Sequence, residues 1–285
     1  MENLIISMEA TCEMPADMLK KYGFRIIDME YTINGQVYST QKDDVVSTKL
    51  YERMKKGEKT STSQINEAEY TEFFDKLLDE GKEVLHIGFS SGLSGTYYSA
   101  LRGAKVANSR HKNQVLVIDS LSGCGGQSLL AIMAYKFAKT AKNVDEVAEF
   151  VDKNILKINH TFSVDNLKYL VSGGRLKASS AFFGNLLNIK PIMKMDNNGK
   201  LCSNTKVISR RRALISLAND CAERADKSES LCFVSHANCL SDAETIKKIL
   251  EEKSHLKPVI THMVPIIGSH SGPGTIAIFF LGDKR

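Results

Sequence analysis

The sequence predicts an α/β fold with two domains, a parallel-sheet N-terminal α/β domain and a smaller C-terminal α+β domain. In the first half, short β-rich runs alternate with amphipathic helical runs, the order that a parallel sheet with crossover helices requires. In the second half, two strand-like runs flank Asn197-Asn198-Gly199, which is typical of an antiparallel hairpin. The 285 residues are enough for two hydrophobic cores. The change from alternating strands and helices to a hairpin pattern predicts one domain over residues 1–157 and another over 158–285.

The elements of the first half follow from hydrophobic periodicity. The run at 127–139 is apolar enough for a buried helix, whereas 145–156 has the pattern of a surface helix leading out of the domain. The predicted strands are 4–7, 24–27, 84–87 and 115–118, and the other predicted helices are 68–78 and 96–107.

The elements of the second half include both antiparallel and helical signals. Ser241 and Glu244 have the spacing of a capping box, which predicts a helix beginning there. The predicted strands are 189–195, 201–208, 231–235, 259–264 and 275–281, and the predicted helices are 211–225 and 242–253.

Composition and charge exclude several classes of protein. With 42% hydrophobic and 25% charged residues, the chain is an ordinary globular protein and not a disordered one. The net charge of +5 is spread along the chain, and the basic run 210–212 is better explained as a solvated helix face than as a nucleic-acid site. Six scattered cysteines without a C-x-x-C pair indicate no metal site. Without a signal peptide or a long apolar segment, we expect a cytoplasmic protein with no stable membrane insertion.

The loop 88–96 is the most informative candidate site. It follows a predicted strand and opens a predicted helix, so its small residues leave backbone N–H groups free to bind an anion at the helix N-terminus. It has neither a P-loop lysine nor G-x-G-x-x-G spacing, which favours a carboxylate over a nucleotide phosphate. The alternative is a Gly/Ser turn with an ordinary helix cap.

Two further polar stretches occur at 59–64 and 119–126. The first precedes a helix and alone would be interpreted as a helix cap. The second again follows a strand and opens a helix. Loops at the carboxyl ends of neighbouring parallel strands meet at one edge of the sheet, so we expect these stretches to form a single rim.

Taken together, these loops resemble the DegV family, and the similarity extends over almost the whole chain. No single motif would be specific, but their number and order are. The motifs are Thr62-Ser63-Gln64, Ser90-Ser91-Gly92-Leu93-Ser94-Gly95-Thr96-Tyr97, Val117-Ile118-Asp119-Ser120, Ser172-Gly173-Gly174-Arg175-Leu176, Ile189-Lys190-Pro191-Ile192 and Gly268-Ser269-His270-Ser271-Gly272-Pro273-Gly274.

The resemblance implies a protein that binds a long-chain fatty acid between its two domains. It implies the binding subunit of a bacterial fatty acid kinase, which presents the carboxylate to a separate ATP-using subunit for acyl-phosphate formation. We therefore expect no enzymatic activity from the chain alone and no cofactor besides the bound fatty acid. The implied ligand-binding residues are Thr62, Ser94 and Gly95 at the carboxylate, Ser120 in the third loop, and Arg175 and His270 from the second domain.

One departure from the family pattern concerns the first loop. Family members typically have Asp-Ser before the threonine, whereas this chain has Glu9-Ala10-Thr11. The substitution lengthens an acid and removes a hydroxyl, which changes the expected lining of the loop.

Alternatives remain for several of these residues. Gly173-Gly174 could simply end a helix and leave Arg175 as a surface cap. His86 and His262, within strand runs, are interpreted as structural or exposed. The apolar residues behind Arg175 could line an acyl tunnel or equally form ordinary core: Ala181, Phe182, Phe183, Leu186, Leu187, Ile189 and Ile192.

The competing function is a small-molecule kinase or phosphotransferase that uses the Gly/Ser loops for phosphate. Against it stands the lack of an acidic metal constellation and of a P-loop lysine. A serine hydrolase is weaker still, since Ser91 and Ser94 are not in a G-x-S-x-G elbow.

Overall fold

The computed structural model describes residues 3–40, 46–177 and 188–285, which contain thirteen strands and ten α-helices. One turn of 3-10 helix, Ile155–Lys157, follows the sixth helix. The strands are β1 (Leu4–Glu9), β2 (Arg25–Ile27), β3 (Glu30–Ile33), β4 (Gln36–Ser39), β5 (Thr60–Thr62), β6 (Glu83–Gly88), β7 (Val115–Asp119), β8 (Ile158–Ser163), β9 (Ile189–Met195), β10 (Leu201–Ile208), β11 (Leu231–His236), β12 (Lys257–His262) and β13 (Ile276–Leu281). The helices are α1 (Ala16–Tyr22), α2 (Val46–Lys55), α3 (Glu67–Leu78), α4 (Thr96–Asn108), α5 (Cys124–Ala138), α6 (Val144–Asn154), α7 (Lys168–Ser172), α8 (Arg210–Arg224), α9 (Leu240–Lys253) and α10 (Pro265–Ser271).

The first sheet has the order β2-β1-β6-β7, and all its pairs are parallel. This confirms the predicted parallel α/β half. Its strands are almost continuously apolar, and Val84, Leu85 and Ile87 are fully buried because α3 to α6 pack against the sheet. The carboxyl ends of β1, β6 and β7 lie at one edge, and the three loops that follow them meet there.

A small antiparallel sheet, β4-β3-β5, was not predicted. The stretch 59–64 is part of it, because Thr60–Thr62 pairs with β3, with Thr62 opposite Tyr31. The helix-cap interpretation of that stretch is therefore wrong, and the cap of α3 is Asn66, which forms a capping box with Glu69. The hairpin between β3 and β4 turns at Asn34-Gly35, where both residues have positive φ.

The second half contains a six-stranded mixed sheet with the order β10-β9-β8-β13-β11-β12. The predicted hairpin is confirmed, since β9 and β10 pair antiparallel with Met195 opposite Leu201. Gly199 turns the chain with φ +68°, and its N–H donates to Asp196 O at 3.0 Å. The last strand, β13, is inserted between β8 and β11, so it lies in the middle of the sheet.

Helix α5 lies between the two large sheets. It contacts β1 and β6 on one side and β8, β11 and β13 on the other. Twelve of its fifteen residues are buried, which confirms the predicted buried helix. One hydrophobic cluster therefore extends from Ile6 in the first sheet through Leu130 in α5 to Phe279 in the second. A second cluster fills the space under α8 and α9. The predicted boundary at residue 157 separates the sheets, but the two halves share this core.

Two local predictions were wrong in the second half. Ser241 and Glu244 form no capping box, because α9 begins at Leu240 and no side chain caps its first turn. The Gly/Ser/Pro-rich stretch 268–274 would be expected to form a loop, but His270 lies in α10, a short helix with proline in its first turn.

Candidate functional site

A cavity of about 270 Å³ lies between the two halves. Its walls come from the carboxyl-end loops of the first sheet, from the small antiparallel sheet, from β8 and β13, and from α10. We call the part of its lining around Thr62, Ser94, Gly95, Arg175 and His270 the polar end, and the part around Phe162, Phe279, Met195 and Leu201 the apolar end. Five of the six predicted site residues line the cavity, namely Thr62, Ser94, Gly95, Arg175 and His270.

The polar end brings the two halves into direct contact. Thr62 Oγ1 and His270 Nε2 are 2.8 Å apart and form a hydrogen bond across the interface. Gln64 approaches the loop before α4 so closely that a Cβ at Gly95 would lie 2.6 Å from Gln64 Oε1. A larger residue at position 95 would therefore displace the side-chain amide of Gln64.

Ser94 has a local role in addition to its place in the cavity wall. Its hydroxyl accepts a hydrogen bond from Thr96 N–H at 3.2 Å and donates to Thr96 Oγ1 at 3.1 Å. The hydroxyl therefore acts as a helix cap, and it can donate to a ligand in the cavity only by turning its single proton away from Thr96 Oγ1.

Arg175 and His270 supply the electrostatic character of the polar end. Burial, together with the nearby charge of Arg175, lowers the pKa of His270 to about 4, so the imidazole is neutral at neutral pH. Arg175 is half-buried, and its guanidinium donates to Gly173 O. Gly173 ends α7, as predicted for a helix after Val171, but Arg175 is part of the cavity wall and not a surface cap. The polar end thus combines neutral donors with one cation.

Ser120 is fully buried and does not line the cavity. Its hydroxyl donates to Ser122 O at 3.2 Å and accepts from Ser122 N–H at 3.1 Å, which holds the turn after β7. A ligand contact from Ser120 has no support in this geometry.

A buried polar network beneath the cavity involves Glu9, the residue at which the chain departs from the family pattern. Glu9 accepts hydrogen bonds from Tyr70 Oη at 2.7 Å, Phe89 N–H at 2.9 Å and Gln127 Nε2 at 2.7 Å. Burial raises the pKa of this carboxyl, but the charge and hydrogen bond of His86, together with the hydrogen bond from Tyr70, lower it overall. The network could not be found from the sequence because its members lie on four separate elements.

The network reaches the cavity through Thr11, which lines it and donates to Gln127 Oε1 at 2.8 Å. His86, fully buried and 3.2 Å from Glu9 Oε1, is structural, as one of the two interpretations of it predicted. Glu9, the longer acid at this position, therefore connects the end of β1 to the end of β6 and to α5 through hydrogen bonds. Its carboxylate is not part of the cavity wall.

The apolar end is built from residues that the sequence did not single out. β8, β13 and the end of the β9–β10 hairpin contribute Phe162, Phe279, Met195 and Leu201. Of the predicted tunnel residues, 181–187 lie outside the described residues. Neither Ile189 nor Ile192 lines the cavity, and Ile192 belongs to the second hydrophobic cluster, as the core alternative predicted.

In residues 3–40, 46–177 and 188–285, no group of three or more His, Cys, Asp or Glu side chains could hold a metal ion. Over the same part of the chain, no helix has the length and apolar character needed to cross a membrane.

Cys124 lines the cavity, and burial together with Glu13 raises the pKa of its thiol well above the usual 9.0.

Comparisons with known proteins agree over the full length of the chain. The family model DegV, described as uncharacterised protein of the DegV family, matches residues 3–283. A DegV domain-containing protein of Clostridium perfringens is 32% identical over 100% of this chain and 99% of its own. A DegV lipid-binding protein from Thermotoga maritima superposes with a TM-score of 0.86 at 26% identity, covering 99% of each chain. DegV of Bacillus subtilis, described as a fatty-acid-binding protein, gives a TM-score of 0.82 at 26% identity and covers 99% of each chain.

Proposed function

Because the chain belongs to the DegV family, we propose that it binds one long-chain fatty acid in the cavity and presents the carboxylate to a separate ATP-using kinase subunit. The observation that supports this most directly is a cavity between the two halves with a hydrogen-bonding end and an apolar end. Solved relatives described as lipid-binding and fatty-acid-binding, each 26% identical, have the same fold.

The polar end suits a carboxylate. An ionised carboxylate costs several kcal/mol to bury without partners, so it requires donors. Thr62, Ser94 and the Gly95 backbone offer neutral donors, and Arg175 offers a charge that is only half-buried. Charge-assisted hydrogen bonds of this kind recognise the head group without a fully buried counter-ion.

The apolar end suits an acyl chain. Each buried methylene contributes about 0.8 kcal/mol, so a long tail supplies most of the affinity. A kinase acting alone is disfavoured because the described residues hold no acidic metal constellation, which phosphoryl transfer to a bound substrate normally requires. In this proposal the phosphoryl group comes from the partner, and Arg175 and His270 at the mouth stabilise the developing charge.

Binding of oleate and methyl oleate to delipidated protein tests the carboxylate site. We expect uptake of about one oleate per chain and a clear preference for the acid over the ester. Thr62→Ala and Ser94→Ala should each weaken oleate binding about ten- to hundredfold, since a charge-assisted hydrogen bond contributes about 1.5–3 kcal/mol. The affinity loss of the double variant should be smaller than the product of the two single losses, because both hydroxyls bind the same carboxylate.

Thr60→Ala is the matched control. Thr60 lies on the same strand, but its hydroxyl donates to Ser269 O at 3.1 Å and does not line the cavity. It should keep the preference for the acid. An undiminished preference in both Thr62→Ala and Ser94→Ala would show that the carboxylate binds elsewhere.

Reconstitution with a cognate kinase subunit tests the second half of the proposal. Acyl-phosphate formation should require both proteins, and Arg175→Gln should lower its rate more than it lowers oleate affinity. ATP turnover by the pure chain would favour the competing phosphotransferase.

A further inference from the structure

One row of residues from the second large sheet crosses the apolar end of the cavity. On β13, Phe279 is opposite His160 of β8, and the register between β8 and β9 places Met195 beside His160. Met195 is in turn opposite Leu201 of β10. Side chains that lie opposite each other on neighbouring strands share one face of the sheet. All four residues line the cavity, so its apolar end extends from β13 across the sheet to β10.

In the direction of the strands, the cavity ends at this row. One row further, Ile158 and Leu281 are opposite each other, and both are buried without lining the cavity. The first turn of α5 lies against the sheet here, since a Cβ at Gly125 would be 2.7 Å from Phe279 Cδ2 and a Cβ at Gly126 would be 3.1 Å from Ile158 Cγ2. An acyl chain from the polar end therefore cannot follow β13 beyond this row and has to run toward β10.

Leu201 lies at the outer end of the row. In the sheet that the structure describes, β10 is an edge strand. Leu201 is partly exposed, whereas its neighbour in the row, Met195, is only 5% exposed. Leu201 thus borders the cavity on one side and solvent on the other. It is the residue that separates the apolar end from water at the edge of the sheet.

The hairpin that carries Leu201 is fixed to the rest of the molecule by hydrogen bonds from its turn. Ser90 Oγ, in the loop after β6, donates to Gly199 O at 2.8 Å. Arg285 Nη1 donates to Asp196 O at 3.0 Å, and Arg285 Nε donates to the carbonyl of the first residue of β8 at 2.9 Å. Leu201 follows the turn directly, so it cannot move outward with the hairpin unless these hydrogen bonds break.

We propose that Leu201 is the end stop of the cavity, the residue that limits the length of the acyl chain that the protein accepts. The inference rests on the proposed function and specifies which fatty acids it applies to. A chain that does not reach Leu201 gains about fourfold in affinity with each added methylene. A longer chain has to displace Leu201 or the hairpin, and its affinity falls.

The distance from the polar end to Leu201 follows from strand geometry. Thr275 lines the cavity beside α10, where it donates to Ser271 O at 3.0 Å, and Phe279 lies about 13 Å further along β13 at about 3.3 Å per residue. Three strand spacings of about 4.8 Å separate β13 from β10, about 14 Å in all. The direct distance from Thr275 to Leu201 is then about 19 Å. An extended chain advances about 1.3 Å per carbon, so about sixteen carbons reach Leu201.

Affinities of delipidated protein for the saturated acids from laurate to behenate test the end stop. For the native protein, we expect affinity to rise with chain length up to about sixteen carbons. Arachidate should bind about tenfold or more weakly than palmitate, because a chain that is too long overpacks the closed end. Leu201→Ala leaves space at the end of the cavity and should move the maximum by about two carbons or more toward longer acids.

Val207→Ala is the matched control. Val207 is a partly buried apolar residue on the same strand, but it packs against the second hydrophobic cluster and does not line the cavity. This variant should keep the native dependence on chain length. The same native dependence in Leu201→Ala would refute the end stop and leave the proposed function intact. If the native protein takes up none of the acids, both the inference and the proposed function are wrong.

The position of the terminal methyl group of the ligand provides a measurement on the native protein. With palmitate that carries ¹³C at its terminal carbon, we expect nuclear Overhauser contacts between this methyl group and the methyl groups of Leu201. Contacts to Met29 or Ile266 instead, which line other parts of the cavity, would overturn the inference.

Discussion

At the scale of single residues, the end of β1 and the loop after it carry two buried carboxyl groups in contrasting surroundings. Glu9 is surrounded by donors, and the pKa of its carboxyl is lowered despite burial. Glu13 accepts one hydrogen bond, from Val264 N–H at 3.1 Å, with the Ser235 and Cys124 side chains nearby. Burial outweighs these contacts and raises the pKa of Glu13 to about 7.

Glu13 should therefore make stability depend on pH. The native state holds its proton more tightly than the unfolded chain, whose glutamate titrates near 4.5. Stability from this group is present below pH 4.5 and is lost as pH rises to about 7. With about 1.4 kcal/mol per pKa unit, the loss is on the order of 3 kcal/mol. Urea unfolding at pH 5 and pH 8 measures it.

Glu13→Gln is the informative variant for this prediction. Glutamine keeps an oxygen for Val264 N–H but cannot ionise. The variant should match the native protein near pH 5 and exceed its stability at pH 8. An unchanged difference between the two pH values would show that another group is responsible.

Some residues of the site could be predicted from the sequence and others could not. Ser94 and Gly95 could be predicted because a Gly/Ser loop after a parallel strand is a local sequence pattern. Arg175 and His270 came from the family resemblance alone. Phe162 and Phe279 were missed, because the sequence of a strand does not show which of its faces borders a cavity.

At the scale of elements, the loop after β6 is in close contact with the turn of the β9–β10 hairpin. Ser90 Oγ donates to Gly199 O at 2.8 Å, and a Cβ at Gly92 would lie 2.4 Å from Asn198 O. This contact joins the first half to the second beside the cavity.

Gly92→Ala should separate the loop from the hairpin. The added methyl group meets backbone atoms that cannot rotate away, and overpacking of this kind costs about 1–3 kcal/mol. We expect a lower free energy of unfolding, weaker oleate binding and faster amide exchange at 196–200. Ser91→Ala, one position earlier, adds no atom and should change none of these. Native-like exchange in Gly92→Ala would contradict the close contact.

Every strand of the two large sheets except β8 was predicted, mostly from apolar runs. β8 was missed because polar residues interrupt its apolar pattern, namely Asn159, His160, Thr161 and Ser163. The small sheet could not be predicted, because β3, β4 and β5 have only three or four residues and include polar positions. Its one usable signal was Asn34-Gly35, a strong hairpin turn. α10 was not predicted, because it contains proline and glycine, which normally indicate loops.

At the scale of the whole molecule, the two halves share one hydrophobic core. α5 packs buried side chains against both sheets. Gly125 allows α5 to lie close to Phe233, because any larger residue at position 125 would have its Cβ only 2.6 Å from the Phe233 Cβ. The sequence indicated two domains from rhythm alone. It could not indicate that a helix of the first half packs against the sheet of the second, since periodicity does not identify packing partners.

We therefore expect the molecule to unfold as one unit. The slowest-exchanging amides of β6 and β13 should report the same free energy of opening and the same denaturant dependence, because neither sheet keeps its core without α5. Native-state hydrogen exchange across a urea series measures both. Opening free energies that differ by more than about 2 kcal/mol would indicate separate folding units.

The thiol of Cys124 in the cavity wall has a chemical consequence for whatever the cavity holds. Only a thiolate attacks electrophiles at a useful rate, and the raised pKa of Cys124 keeps it protonated at neutral pH. If the cavity holds the proposed acyl chain, we expect Cys124 to react slowly with an enone or an epoxide on that chain. The cavity wall at Cys124 would then stay unmodified by an oxidised ligand.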